Sequence, residues 1–234
     1  EHIVGPGSVL RKSIESDELP SIILWGPPGA GKTTLANLVA TMTNSHYSAV
    51  SAVASGVADL RRITAEAQER LGMHGQRTIM FVDEIHRFSK SQQDVILPYV
   101  EDGTVVLIGA TTENPSFEVI SPLLSRSRVF TLTPLTDEHV EQIARRAMAD
   151  RERGLGVLSP RLGDEAAKTL IALSNGDARV ALNALELATS ATEPDEDGVR
   201  LITAETLEDA MQRRALLYDK AGDQHYDTIS AFIK

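Results

Sequence analysis

Residues 22–34 read IILWGPPGAGKTT, four apolar side chains set directly against a glycine-rich run that ends in Lys32-Thr33-Thr34. Ile22 to Trp25 has the length and character of a short buried strand, and Gly26 to Thr33 fits the spacing G-x-x-x-x-G-K-[ST]. The helix that follows, Gly31 to Met42, carries Leu35, Leu38, Val39 and Met42 at helical spacing, a face expected to pack on a sheet. This strand–loop–helix order aims backbone N–H groups of Gly29, Ala30, Gly31 and Lys32 into one concavity, where the helix dipole favours polyphosphate. Lys32 adds a full charge, Thr33 a hydroxyl for Mg²⁺, and the glycines let the backbone approach phosphate closely. With Gly at about 7% of residues, a chance match has a probability on the order of one per cent, so nucleotide binding is the expectation. Pro28, Gly29, Ala30, Gly31, Lys32, Thr33 and Thr34 are the expected contacts.

Downstream, Thr78 to Glu84 is an apolar strand ending in two carboxylates, the form of a Walker B motif. Delivered beside a phosphate loop, Asp83 can hold hydrated Mg²⁺ and Glu84 can polarise an attacking water. Two acids at a strand end are common, and their separation of about fifty residues from Lys32 is what favours the functional reading. His86 and Arg87 receive no role, since no metal-ligand spacing accompanies the histidine. A further strand, Val105 to Ile108, leads into Gly109-Ala110-Thr111-Thr112, whose hydroxyls could hold the water or sense the γ-phosphate. Ser125-Arg126-Ser127-Arg128 then precedes a fifth strand, Val129 to Leu132. Its arginines are either surface charges or a source of charge stabilisation for phosphoryl transfer.

The remaining pattern fills in around these segments. A short helix is expected at Val9 to Ser16, a strand at His46 to Val53, an amphipathic helix at Val57 to Leu71 stopped by Gly72, and a helix at Ser89 to Glu101 capped by Ser89 and bent at Pro98. From Thr136 the reading turns helical. One helix has Asp137 and Glu138 in its first turn and Arg151 and Arg153 at its end; others cover Asp164 to Leu173, Asp177 to Thr189 and Thr203 to Arg214. The fold class that follows is α/β, a parallel five-stranded sheet (residues 1–134) followed by a small all-helical lid (135–216) and the start of a further region (217–234). Glu1 to Ser8 lacks an initiating Met and reads as a trimmed start, and Tyr218 to Lys234 stops inside a helical pattern.

At 234 residues, 42% apolar, the chain can bury a substantial core, and no apolar run approaches the roughly 20 residues a membrane span needs. Cys is absent, which excludes disulfides and thiolate metal sites and agrees with a reducing interior. The net charge of −10 argues against broad adhesion to nucleic acid or anionic lipid, so any DNA contact must be local or arise on assembly. Arg61, Arg62 and Lys90 are candidates for such contacts, and each also reads as an ordinary solvated helix charge. The acidic run Glu193 to Gly198 reads as a solvated loop.

Taken in order, GPPGAGKTT, IMFVDEIHRFSKSQQD, LIGATTENPSF and LLSRSRVF make the chain resemble an AAA+ ATPase of the replication-associated recombination protein A family, whose eukaryotic relatives are the Werner-helicase-interacting and maintenance-of-genome-stability proteins. The Walker A and Walker B motifs alone mark only a superfamily; the longer Asp83 to Asp94 and Gly109 to Phe117 stretches narrow it. The resemblance implies an ATP hydrolase with ATP and Mg²⁺ held by Lys32, Thr33 and Asp83, Glu84 activating water, and Thr112 (or Thr111) as sensor 1. It implies Arg126 as an arginine finger acting on a neighbour's nucleotide and Arg179, in Gly176-Asp177-Ala178-Arg179, as sensor 2. It further implies DNA-stimulated activity on ends or junctions at stalled forks and homo-oligomers built by a domain beyond the lid, with little turnover by the isolated fragment. The implied partners are single-stranded-DNA-binding protein and other replication proteins. The implied setting is cytoplasmic without membrane attachment, nucleoid-associated in a bacterium or nuclear in a eukaryote. A nucleotide-switched recruitment module and a Holliday-junction branch-migration motor are the alternatives.

Overall fold

The structure is a computed structural model that describes Gly5 and residues 7–212. The chain divides into two compact units, Glu1–Thr133 and Pro134–Lys234. In the first, β1 (Ser21–Trp25), β2 (His46–Ser51), β3 (Thr78–Asp83), β4 (Val105–Thr111) and β5 (Ser127–Thr131) form one parallel sheet in the order β2-β3-β4-β1-β5.

Strand periodicity explains why these segments read as unbroken apolar runs. Ile22, Leu24, Ile79, Phe81 and Ile108 belong to one core, where α1 (Val9–Glu15) contributes Leu10 and Ile14 and α2 (Lys32–Met42) contributes Ala36 and Val39. Their strand neighbours Ile23, Met80, Val82 and Leu107 belong to a second core, with Leu60 and Ala67 from α3 (Val57–His74) and Ile96 from α4 (Lys90–Glu101). Both faces are dry, so alternation with polar residues is lost.

Several boundaries move from the sequence reading, each for a local reason. The inward face of α2 is Lys32, Ala36 and Val39, whereas Leu38 and Met42 are 45% and 49% exposed. Lys32 shares the buried face, and Leu38 falls outside it. The α3 helix runs past Gly72 to His74 and stops at Gly75, which takes φ 64° and donates its N–H to the Leu71 carbonyl. A helix tolerates an interior Gly at about 1 kcal/mol; the left-handed Gly75 is what ends it. The β2 strand ends at Ser51, short of Val53, while β4 continues through Thr111, so Gly109 and Ala110 lie within the strand. The α4 helix carries the expected Ser89 cap, reciprocated by Gln92, and holds Pro98 internally. Two short helices, α5 (Pro115–Glu118) and α6 (Ser121–Ser125), precede β5, which starts at Ser127 rather than Val129.

Gly26 is required by packing. A Cβ there would fall on the backbone carbonyl oxygen of Leu132, whose own N–H donates to Trp25 O at 2.7 Å. Because the obstacle is backbone, no rotamer relieves it. We therefore expect Gly26→Ala to lose about 1–3 kcal/mol of stability, read as a lower urea midpoint at unchanged slope.

The second unit contains α7 (Asp137–Ala149), α8 (Asp164–Ser174), α9 (Ala178–Ala191) and a helix over residues 204–212 around a core of Val140, Leu170, Leu185 and Leu207. The helical expectation gains one addition, a ribbon of β6 (Pro160–Leu162) and β7 (Arg200–Ile202), paired in parallel. The α7 helix ends before Arg151 and Arg153: the Asp150 carboxylate accepts N–H bonds from Glu152 and Arg153, turning the chain away. Those two bonds hold the Asp150 carboxyl below its ordinary pKa. The expected end of the last helix at Arg214 and residues 217–234 lie outside the described residues.

Candidate nucleotide and catalytic site

Parallel strands deliver their carboxyl ends to one edge of the sheet, and there β1, β3 and β4 bring together the phosphate loop, Asp83-Glu84 and Thr111-Thr112. The loop turns on Gly29 at φ 69° and Gly31 at φ 89°, conformations that favour glycine, and Gly31 is the N-cap of α2 with no side chain capping its first turn. A helix start of this kind suits an anion. Lys32 is 7% exposed, and its Nζ donates to the carbonyls of Gly26 at 2.7 Å and Pro27 at 2.8 Å, so the ammonium lies beneath the arch of the loop. Ala30 packs against the core, Thr33 is half-buried, and Pro28 and Thr34 are exposed at the mouth of the turn.

Across the edge, Asp83 ends β3 half-buried, its Oδ1 accepting the Glu84 N–H at 3.2 Å. Its charge reaches β2: burial raises the pKa of the Tyr47 phenol, and the negative charge of Asp83 adds to the rise. Glu84 takes φ 53° and ψ 49°, a left-handed conformation that is uncommon without Gly, and a 3-10 turn over Ile85–Arg87 follows. Fully buried Ile85 pins this turn beneath the sheet beside Gly109, where a Cβ would come within 2.9 Å of Ile85 Cδ1. The turn brings His86 back on Glu84. Its Nδ1 lies 3.2 Å from Glu84 Oε2 and 3.0 Å from Thr111 Oγ1. Thr111 is fully buried and bonded, while Thr112 is half-buried beyond the strand end. An open groove of about 500 Å³ along the carboxyl ends of β2 and β3 has Asp83, Glu84 and Arg87 in its lining.

Within the first unit, Arg126 lies apart from this edge. Arg126 caps α6 at the start of β5, whose first residue pairs with Ser21, the first residue of β1, so it belongs to the amino edge of the sheet. A five-residue strand therefore separates it from the loop of its own chain, on the order of 15 Å. Its Nη2 meets Glu101 Oε1 at 2.7 Å, and Nη1 donates to the Pro122 carbonyl and Ser125 Oγ. Arg128 is exposed on the edge strand β5. Arg179, in the second unit, is exposed in the first turn of α9, where its N–H donates to the cap residue Asp177. Of the residues considered for DNA, Arg62 is paired with Glu66, while Arg61 and Lys90 are exposed.

The site fits a magnesium nucleotide. Among the described residues no group of three or more His, Asp or Glu could hold a metal by itself. Mg²⁺ is a hard cation usually bound through one or two carboxylates and substrate phosphates rather than an all-protein cage. The available donors, the Thr33 hydroxyl and the Asp83 carboxylate, are oxygens at one sheet edge. The sequence reading missed His86. No spacing rule points to it, because its contacts depend on the left-handed turn at Glu84 and on a strand 25 residues further along.

The chain matches two family models: ATPase family associated with various cellular activities (AAA), over residues 22–135, and AAA C-terminal domain, over residues 156–234. It is 47% identical over its whole length to replication-associated recombination protein A of Escherichia coli, covering 52% of that protein. It is 42% identical over 97% of its length to ATPase WRNIP1 of Dictyostelium discoideum, covering 27% of it. The chain thus spans about half the length of the first of these relatives and less of the second. Among solved structures, the RuvB Holliday junction branch migration motor of Thermotoga maritima superposes with a TM-score of 0.68 at 25% identity, over 87% of this chain and 65% of that one. Among the described residues no helix is long and apolar enough to cross a membrane.

Proposed function

We propose that this chain, which belongs to the replication-associated recombination protein A family of AAA ATPases, hydrolyses ATP to remodel DNA ends or junctions, or replication complexes, in fork maintenance and recombination-linked repair. The observation that carries the hydrolytic part is the convergence of the buried Lys32 loop and the Asp83-Glu84 pair on one sheet edge. Lys32 and the first-turn amides of α2 bind and orient the phosphates, and Thr33 and Asp83 would hold Mg²⁺. That ion, when bound, neutralises charge on the phosphate oxygens. Glu84 takes the proton of the attacking water, and Thr112 orients that water against the terminal phosphate. Arg126 serves a neighbour's nucleotide, a role supported by its place at the amino edge of its own sheet. Arg179 is the proposed sensor from the helical unit.

The DNA side of the proposal rests on the relatives. Replication and recombination stand in the name of the Escherichia coli protein, and homo-oligomers, DNA junctions and single-stranded-DNA-binding protein are the partners proposed here. ATP turnover by the full-length protein, measured with and without forked DNA across protein concentrations, tests it. We expect the rate per chain to rise with concentration and again with DNA. A rate indifferent to both would overturn the proposal. A branch-migration motor is the second reading, favoured by the likeness to the Thermotoga maritima motor, and directional migration of a four-way junction would raise it above the first.

A further inference from the structure

We propose that His86 is the positioning residue for Glu84, locking the carboxylate of the water-activating residue to the end of β4 through the proton on Nδ1. This rests on the reading of Glu84 as the base. His86 Nδ1 lies 3.2 Å from Glu84 Oε2, an ion-pair distance, and because a carboxylate only accepts, the contact is attractive when Nδ1 carries a hydrogen. The same N–H then also faces Thr111 Oγ1, 3.0 Å away. The network closes consistently when Thr111 Oγ1 accepts from the Glu113 N–H at 3.0 Å and turns its own proton to the Glu113 carbonyl at 3.3 Å, which leaves it able to accept from Nδ1.

Two features distinguish this from an ordinary half-buried histidine. The imidazole side chain is only 17% exposed, against 40% for the Glu84 side chain, so a sheltered ring faces a more exposed carboxylate. Thr111 in turn is tied to the phosphate loop, since its carbonyl accepts the Gly26 N–H at 3.1 Å. Loop, strand β4 and imidazole therefore form one connected series of hydrogen bonds within a single unit, with the Glu84 carboxylate in ion-pair contact at its end. A long acidic side chain leaving a left-handed residue has several rotamers, and Nδ1–H selects among them. Misplacing a reacting group by about 1 Å can cost on the order of 100-fold in rate, so the selection matters for turnover and not for binding.

The test uses two amide side chains that differ in where the N–H sits. In the full-length protein, His86→Asn can present a donor at the Nδ1 position, while His86→Gln presents one only at Nε2. We expect kcat to stay within about threefold for the first and to fall on the order of 10- to 100-fold for the second, with the KM for ATP and the affinity for ATP unchanged in both. In a Glu84→Gln background, His86→Gln should add nothing, because both changes act on one step. Equal loss in Asn and Gln variants, a loss confined to KM, or full activity in His86→Gln would each overturn the proposal. Should the variants fail to fold, long-range ¹H–¹⁵N NMR of the unmutated protein reads the ring directly: a protonated Nδ1 supports it and a bare Nδ1 overturns it. Failure of the underlying reading looks different, since Glu84→Gln itself would then retain turnover.

Discussion

Arg126→Ala is expected to lower ATP turnover of the assembled protein by roughly 10³ to 10⁵ while leaving nucleotide affinity nearly intact, the range an arginine finger supplies in phosphoryl transfer. The magnitude also decides whether the ion pair with Glu101 could keep the finger from a neighbour. Both side chains are more than 40% exposed, and such a pair is worth about 0–1 kcal/mol. A 10³ to 10⁵ effect corresponds to about 4–7 kcal/mol of transition-state stabilisation, so the pair with Glu101 is too weak to keep the arginine from the proposed role. Mixing subunits separates the two possible geometries. A Lys32→Ala chain keeps its arginine, an Arg126→Ala chain keeps its loop, and co-assembly should restore part of the turnover that each lacks alone. No recovery in the mixture would place the arginine's action within its own chain, against the strand-length separation seen here.

The second large effect concerns the base. Glu84→Gln keeps the shape and a hydrogen-bonding oxygen but cannot accept the water's proton, so turnover should fall about 10² to 10⁴ with ATP still bound. Equal hydrolysis by variant and parent would remove Glu84 from the chemistry. The left-handed φ of 53° at this position belongs to the backbone and should be little altered by the substitution, which makes the comparison one of side-chain chemistry.

How much of this was readable in advance follows from the physics of each segment. The central strands were legible because they are buried on both faces, and Met80, Phe81 and Val82 can be apolar in succession only there. The loop was legible because Gly29 and Gly31 need left-handed backbone and Lys32 needs a fixed offset from them. The phase of α2 was not, since Leu38 and Met42 satisfy the same helical spacing as the residues that turned inward. The three-residue strands β6 and β7 are too short to show a period, and each is stabilised by the other, about 40 residues away. Glu101 and Arg126 meet from separate helices, and His86 meets Thr111 across two strands. Such pairs become visible only once the sheet order is known.

The account stands on a magnesium nucleotide seated at the Lys32 loop, and calorimetric titration of the protein with ATP and Mg²⁺ tests that most directly. We expect saturable heat at one nucleotide per chain, lost in Lys32→Ala with the fold preserved. No heat from a folded sample, or the same heat from the Lys32→Ala chain, would contradict it.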